Sequence, residues 1–521
     1  MAFARRPILP LPCEKHLMMK NIASTLLLYL CLALPAFAQN APSPAPASEE
    51  QLAATMRDFR ARAERGDADA QFKLGGAYAN GQGVAKDDAQ AVEWYRKAAD
   101  QGFASAQERL GFMYARGRGV MQDYAQAVAW FRKAADQGNA AAQFELGVAY
   151  ANGQGVAKDD ARAVEWYRKA ADQGFASAQN CLGFMYATGR GVMQDYAQAI
   201  VWSRKAADQG YAGAQYNLGV VYANGQGVVK DYAQAVEWYR KAADQGLAIA
   251  QNGLALMYTN GQGVAKDDAQ AVELYRKAAN QEYAAAQYNL GVAYANGRGV
   301  AKDDVQAVAW YRKAAEREYA VAQYNLGLMY DNGRGVARDD VQAATWFRKA
   351  ADGGHVVAQR YLAVRYRFGQ GVAQDDAEAA VWFGKAADKE DAVAQVYLGE
   401  MYAIGRGVAQ DDAQAVKLFR KAADKGQTVA QVYLGVMYRD GWGVAQDDAQ
   451  AVEWFRKAAD QGNERAQFHL AVMYRDGKGI TKDDAEAIKW FRRAAYKGNV
   501  DAGSNLRRIQ EKGRDMVKEP Q

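Results

Sequence analysis

Between Ala47 and Glu519 the sequence has no proline; all eight fall outside that stretch, at Pro7, Pro10, Pro12, Pro35, Pro42, Pro44, Pro46 and Pro520. Nothing there forbids a helix, and the abundant Ala, Gln, Lys and Arg favour one. Cysteine is scarce too. Cys13 and Cys31 lie within the first 38 residues, which leaves Cys181 alone in the remainder and excludes an internal disulfide there. Histidine is limited to His16, His355 and His469, and the last two have no partner at ligand spacing, so both are expected as surface residues. An excess of one charge is also missing. Of the formal net charge of +5, Arg5, Arg6, Lys15 and Lys20 against Glu14 account for +3, and the near-neutral remainder has no global pull toward nucleic acid.

The one long apolar run, IASTLLLYLCLAL, has 13 residues and follows Met18-Met19-Lys20-Asn21. It is short for a bilayer span, and with Pro35-Ala36-Phe37-Ala38 behind it the segment reads as a cleavable secretory signal ending at Ala38. The start is open between Met1, Met18 and Met19. Leu30 before Cys31 disfavours a lipidation site. The expectation is an exported chain, periplasmic or secreted, with no stable membrane span after cleavage.

What is present is a repeat of 36 residues without insertion. Tyr78 recurs eleven times, through Tyr114 and Tyr150 to Tyr474, and Leu74, Gly81, Gly83, Asp87, Ala91, Ala98 and Ala99 are likewise present in all twelve copies. The stretch GQGVAKDD, Gly81 to Asp88, has the residue types of a phosphate-cradling or cation-binding loop. Its variation excludes both. Lys86 becomes Gln122, Gln194, Gln374, Gln410 and Gln446, while Asp88 becomes Tyr124, Tyr196 and Tyr232, so ligand chemistry would be lost. The invariant glycines and first aspartate suit a helix-turn-helix: Gly81 ends one helix in the left-handed conformation, Gly83 permits a tight reversal, Val84 tucks under, and Asp87 caps the next helix in a capping box with Gln90.

Ala70, Leu74 and Tyr78 make one helical stripe, and Ala91, Tyr95 and Ala98 another. Each copy is therefore an antiparallel helix pair, with Gly75 and the paired alanines allowing close approach. Such a pair buries its apolar face only by stacking on neighbours. The expected fold is all-α, a right-handed α-solenoid of twelve pairs over residues 67–498. Residues 39–47 form a linker and 48–66 a capping helix that opens on Ser48. After Gly498, residues 499–521 supply a last first-type helix, with Leu506 in the Leu74 register, and a polar tail.

The pattern A-x-A-Q-[FY]-x-L-G-x-x-Y-x-x-G-x-G-V-x-x-D-x-x-x-A-x-x-W-[YF]-x-K-A-A resembles the Sel-1-like repeat family, relatives of tetratricopeptide repeats. The resemblance implies a non-enzymatic adaptor, in bacteria often exported, that holds one or more proteins on the concave surface lined by first helices. Some cysteine-rich relatives bind or hydrolyse β-lactams, and the corresponding alternative is a cell-wall-associated β-lactam-binding or hydrolysing protein, or a glycan or peptidoglycan binder. This chain lacks their regular cysteine pairs.

No catalytic, cofactor or metal residue emerges. The Trp94 position, tryptophan in ten copies, is Leu274 and Leu418 in the other two, which makes it a packing position rather than a sugar-stacking ladder. Trp442 between Gly441 and Gly443 is a loop-tip contact residue. Asn217, Asn289 and Asn325 on first helices are candidates to hold an extended peptide. Copy 9 places Arg360, Arg365 and Arg367 on one helix, joined by Arg439, Arg465 and Arg475 in copies 11 and 12, as a basic patch for an acidic protein or lipid headgroup. Cys181 occupies a tolerant helix position.

Overall fold

The computed structural model describes residues 49–516; the expected signal, the linker and Ser48 lie outside the described residues. Among the described residues every element is an α-helix. A leading helix, Glu49–Glu64, is followed by twelve pairs of 13-residue helices, from Ala68–Asn80 and Asp88–Asp100 in copy 1 to Glu464–Asp476 and Asp484–Tyr496 in copy 12. Val500–Met516 closes the series. The chain forms two compact units, one ending at Gln281 and the other beginning at Glu282. Within each, the helices of a copy pack on one another and the second packs on the first helix of the next copy, which is an α-solenoid.

The turn chemistry is as the sequence implies. Gly81 ends the first helix at φ 72°, ψ 32°, and Gly83 is also left-handed. Asp87 accepts from the backbone N–H of Ala89 and Gln90, but the expected capping box is incomplete: the Asp87 N–H donates instead to the Tyr78 carbonyl at 2.9 Å, which leaves nothing for the Gln90 side chain to take.

Gly83 and its equivalents have a further reason. A Cβ on Gly119 would lie 2.1 Å from the Asp88 carbonyl oxygen of the preceding copy, so only glycine lets each loop rest on the first turn of the neighbour's second helix. The Gly75 position is filled by a ring: a Cβ on Gly75 would sit 2.7 Å from Tyr95 Cδ1, and on Gly147 2.5 Å from Tyr167 Cδ1.

Neighbouring copies are tied by repeated polar contacts. The buried Gln107 donates through Nε2 to the Ala99 carbonyl at the end of the preceding second helix and accepts through Oε1 from Gln137 at 2.8 Å, satisfying backbone and side chain together. Arg96 donates to the Tyr114 hydroxyl at 2.6 Å, Arg312 to Tyr330 at 2.6 Å and Arg456 to Tyr474 at 2.9 Å. Gly384 stands in this arginine position in copy 9, so Tyr402 receives no such donor. Arg60 of the leading helix gives the same bond to Tyr78 at 2.5 Å, and Ala63 packs on Leu74, so that helix serves as a second helix for copy 1. At the other end Leu506 packs into the last core.

Candidate protein-binding face

The invariant positions are used up by caps and packing. At the variable tryptophan position, Trp238, Trp346, Trp382, Trp454 and Trp490 are buried, and the half-buried Trp94, Trp130 and Trp166 lie under Lys97, Lys133 and Lys169 at about 4 Å. These indoles are core and cation–π partners, as expected of a packing position. Cys181 is not in a merely tolerant position: it is buried in the core of copies 3 and 4, with Phe144 and Leu182.

Both histidines depart from a surface reading. His355 accepts the Ala358 N–H at Nδ1, capping its helix, and stacks on Tyr324 at 4.7 Å; His469 stacks on Phe455 at 4.9 Å. Burial pushes both down to about 4, and the nearby Arg439 adds to the fall at His469. They are neutral packing rings.

The three copy 9 arginines do not form an open basic patch. Arg360 meets Asp391 at 3.1 Å, Arg367 meets Glu400 at 3.3 Å, and Arg365 turns away from both to pair with Asp331 of copy 8. Farther on, Arg439 and Arg475 are held in bidentate pairs by their own neighbours Asp440 and Asp476. The copy 9 cations are matched because the chain places a carboxylate on the facing helix, as ion pairs between copies; Arg439 and Arg475 are matched within their own helices, and Arg465 is exposed.

Asparagines are also engaged. Asn217 is buried and donates to Asn180 Oδ1 at 2.8 Å, joining copies 5 and 4, while Asn325 donates to the Val321 carbonyl of its own helix. Asn289, half-buried, holds the same position in copy 7. Trp442 is where the sequence puts it, at a loop tip and 54% exposed.

The exposed surface of copies 9 to 11 is made by other residues of the first helices. Positions three, four and seven apart share a helix face. On the first helices of copies 9 to 11 that face carries Tyr361, Val364 and Phe368, then Tyr397, Glu400 and Ile404, then Tyr433 and Val436. Phe368 is 53% and Ile404 62% exposed, where most other copies have asparagine, aspartate, arginine or threonine. Glu400 lies between copies, accepting from Tyr433 Oη at 2.9 Å on one side and from Arg367 on the other. Tyr397 and Tyr433 stack on Phe383 and Phe419 at 5.0 and 4.8 Å, which fixes their rings. The result is an aromatic and apolar surface with one partly buried ionic bridge, suited to contact.

Two signals for this were present in the sequence. One was the replacement of asparagine and lysine by tyrosine at the Lys73 position of three consecutive copies. The other was a coupling within the chain: where the Asp88 position is Asp88, Asp160, Asp304 or Asp376, the next copy brings Arg118, Arg190, Arg334 or Arg406 to it at 2.5 to 2.9 Å, whereas Tyr124, Tyr196 and Tyr232 are followed by Gln154, Gln226 and Gln262. Trp442 stands in this arginine position beyond Asp412, so it replaces a structural ion pair by an exposed ring.

A family model described as Sel1 repeat matches twelve consecutive segments, from residues 68–103 to 464–499. Among solved structures, a protective antigen of uropathogenic Escherichia coli displaying an SLR fold is 37% identical, with 89% of this chain and 98% of that chain covered and a TM-score of 0.59. A Sel1 repeat protein from Oxalobacter formigenes is 34% identical over 47% of this chain and 96% of its own, with a TM-score of 0.44. No curated protein matches the chain.

Proposed function

We propose, from the premise that this chain belongs to the Sel1 repeat family, that it is an exported, non-enzymatic scaffold whose first-helix face on copies 9 to 11 holds a partner protein. Solenoids of this family mediate protein–protein interactions, and their stacked helices present long surfaces for them. The observation that carries the reading is the distribution of variation. Positions that pack, cap or turn are repeated through twelve copies, while exposed Phe368 and Ile404 break the pattern on adjacent first helices beside Tyr397 and Tyr433. Large exposed apolar side chains on an otherwise satisfied surface mark contact sites.

Export rests on the leader ending at Ala38, and a periplasmic or secreted place accords with the relative that is a protective antigen. The experiment is affinity capture from an envelope extract with cross-linking, comparing the protein with Phe368→Ser/Ile404→Ser. Partners cross-linked to the first helices of copies 9 to 11, and lost from the variant, support the reading. Partners retained by the variant, or linked only to second helices, count against it.

A further inference from the structure

The second helix of copy 12 departs from its eleven predecessors. The position that is aspartate or glutamate in ten copies and Asn280 in another is Tyr496, 94% exposed, and the run Lys489 to Lys497 holds four cations and no acid. Lys489 is paired with Glu486 at 2.8 Å and the Arg493 guanidinium lies over the Trp490 ring at 4.6 Å, but Arg492 and Arg493, both exposed, have no carboxylate partner among the described residues. The tyrosine that receives this arginine in other copies has no counterpart here, since its position is Gln510. In copy 9, by contrast, every arginine meets a carboxylate.

These cations line a shallow open pocket of about 470 Å³ with Tyr496, Lys497 and Gln467, and with Asp460 as its single acid. Gln467 is buried and its Nε2 is fixed on the Ala459 carbonyl at 3.2 Å, while its Oε1 has no partner. In copies 1 to 6 and 11 that oxygen accepts from a glutamine at the end of the second helix, as Gln71 does from Gln101 at 2.7 Å. Here Lys497 replaces the glutamine and donates to the Gly462 carbonyl at 2.6 Å instead. The pocket thus combines two guanidinium groups without a carboxylate partner among the described residues, an ammonium, and a buried acceptor awaiting a donor. Exposed Tyr496 and Val500 stand beside it as apolar and amphipathic surface.

We propose that this pocket binds a phosphate ester bearing a neighbouring hydroxyl, presented as the headgroup of an anionic lipid. The guanidinium groups of Arg492 and Arg493 take the phosphate oxygens, the hydroxyl donates to Gln467 Oε1, and Tyr496 and Val500 rest in the interfacial layer. The site is built from the second helix of copy 12 with Gln467 of its first helix, and is separate from the first-helix face of copies 9 to 11 proposed for protein binding.

The test is co-sedimentation of the purified protein with phosphatidylcholine vesicles, with and without phosphatidylglycerol, and titration with soluble glycerol phosphate. Binding is expected only with phosphatidylglycerol, falling about tenfold or more in Arg492→Gln/Arg493→Gln. Tyr496→Asp, which restores the repeat's own residue, should weaken it as well, while Lys417→Gln/Lys421→Gln, an equal loss of charge on copy 10, should leave it intact. Binding of soluble glycerol phosphate with no gain on vesicles would keep the site and assign its ligand to a free phosphate ester. Equal losses in the two double variants, or no binding to either probe, would overturn the proposal.

Discussion

Arg365 of copy 9, only 3% exposed, donates through Nη2 to Asp331 of copy 8 at 2.5 Å, and through Nη1 to the Gln370 carbonyl. The same position is methionine, alanine or valine in the other copies. Removing one member of a buried pair strands the other, whereas replacing the buried charge by a hydrophobe of similar size does not. Asp331→Ala should therefore cost about 2–4 kcal/mol, and Arg365→Met about 1 kcal/mol or less. Chemical denaturation of both variants decides it; equal costs would mean that the pair, and not the stranded guanidinium, carries the energy.

Burial pushes the Glu145 carboxyl up to about 7, Glu108 adds to the rise, and Arg116 opposes it. Glu108 and Glu145 occupy the positions at which Asn180 and Asn217 touch two copies later. With a folded-state value above the ordinary 4.5, the contribution of Glu145 is fully present below pH 4.5 and lost as pH rises through about 7. Between pH 5 and pH 8 the protein should lose about 1–2 kcal/mol relative to Glu145→Gln, the side chain keeping some contact with water. Melting curves of the two proteins across that range are the measurement.

His355 and His469 shift in the other direction, down to about 4. Their neutral form is the folded form, so the stability they confer is present above pH 6.5 and declines as pH falls toward 4. The ring proton shifts of both, followed by NMR, should show no titration between pH 8 and pH 5. A midpoint near 6.5 for either would contradict its stacked, desolvated placement.

Gly102 and its glycine equivalents are left-handed, with φ near 85°, but three copies put Glu282, Glu318 and Glu390 there at φ 64°, 60° and 67°. Glutamate pays for that conformation and glycine does not. Glu318→Gly should raise stability by about 1 kcal/mol, read as a higher Tm. An unchanged or lower Tm would show that the strain is relieved elsewhere.

Trp238 packs as core of copies 4 and 5. Trp238→Ala should cost about 3–5 kcal/mol, and Trp238→Leu clearly less, because Leu274 and Leu418 fill the position naturally. Denaturant midpoints for the two variants, measured together, separate lost volume from lost aromaticity.

Much of the fold was legible because it is written in local chemistry. Gly81 and Asp87 set a left-handed helix end and a cap from within a few residues, and the Leu74 and Ala91 stripes define faces at helical spacing. The incomplete capping box was not legible, since the Asp87 N–H finds the Tyr78 carbonyl across the turn. The candidate site was read less well. Arg360 and Arg367 look like free charge in sequence, and only the next copy's Asp391 and Glu400 cancel it.

By itself the sequence determined the period, the helix pairs, the turns and the packing role of tryptophan, because each depends on residues that are near neighbours in the chain or repeat at a fixed interval. The tertiary structure alone decided which variable side chains remain available. That depends on contacts between copies some thirty to thirty-seven residues apart, such as Arg365 with Asp331, Asn217 with Asn180 and Tyr433 with Glu400. A polar group is free to bind a partner only if no facing helix has already satisfied it, and that is a property of packing.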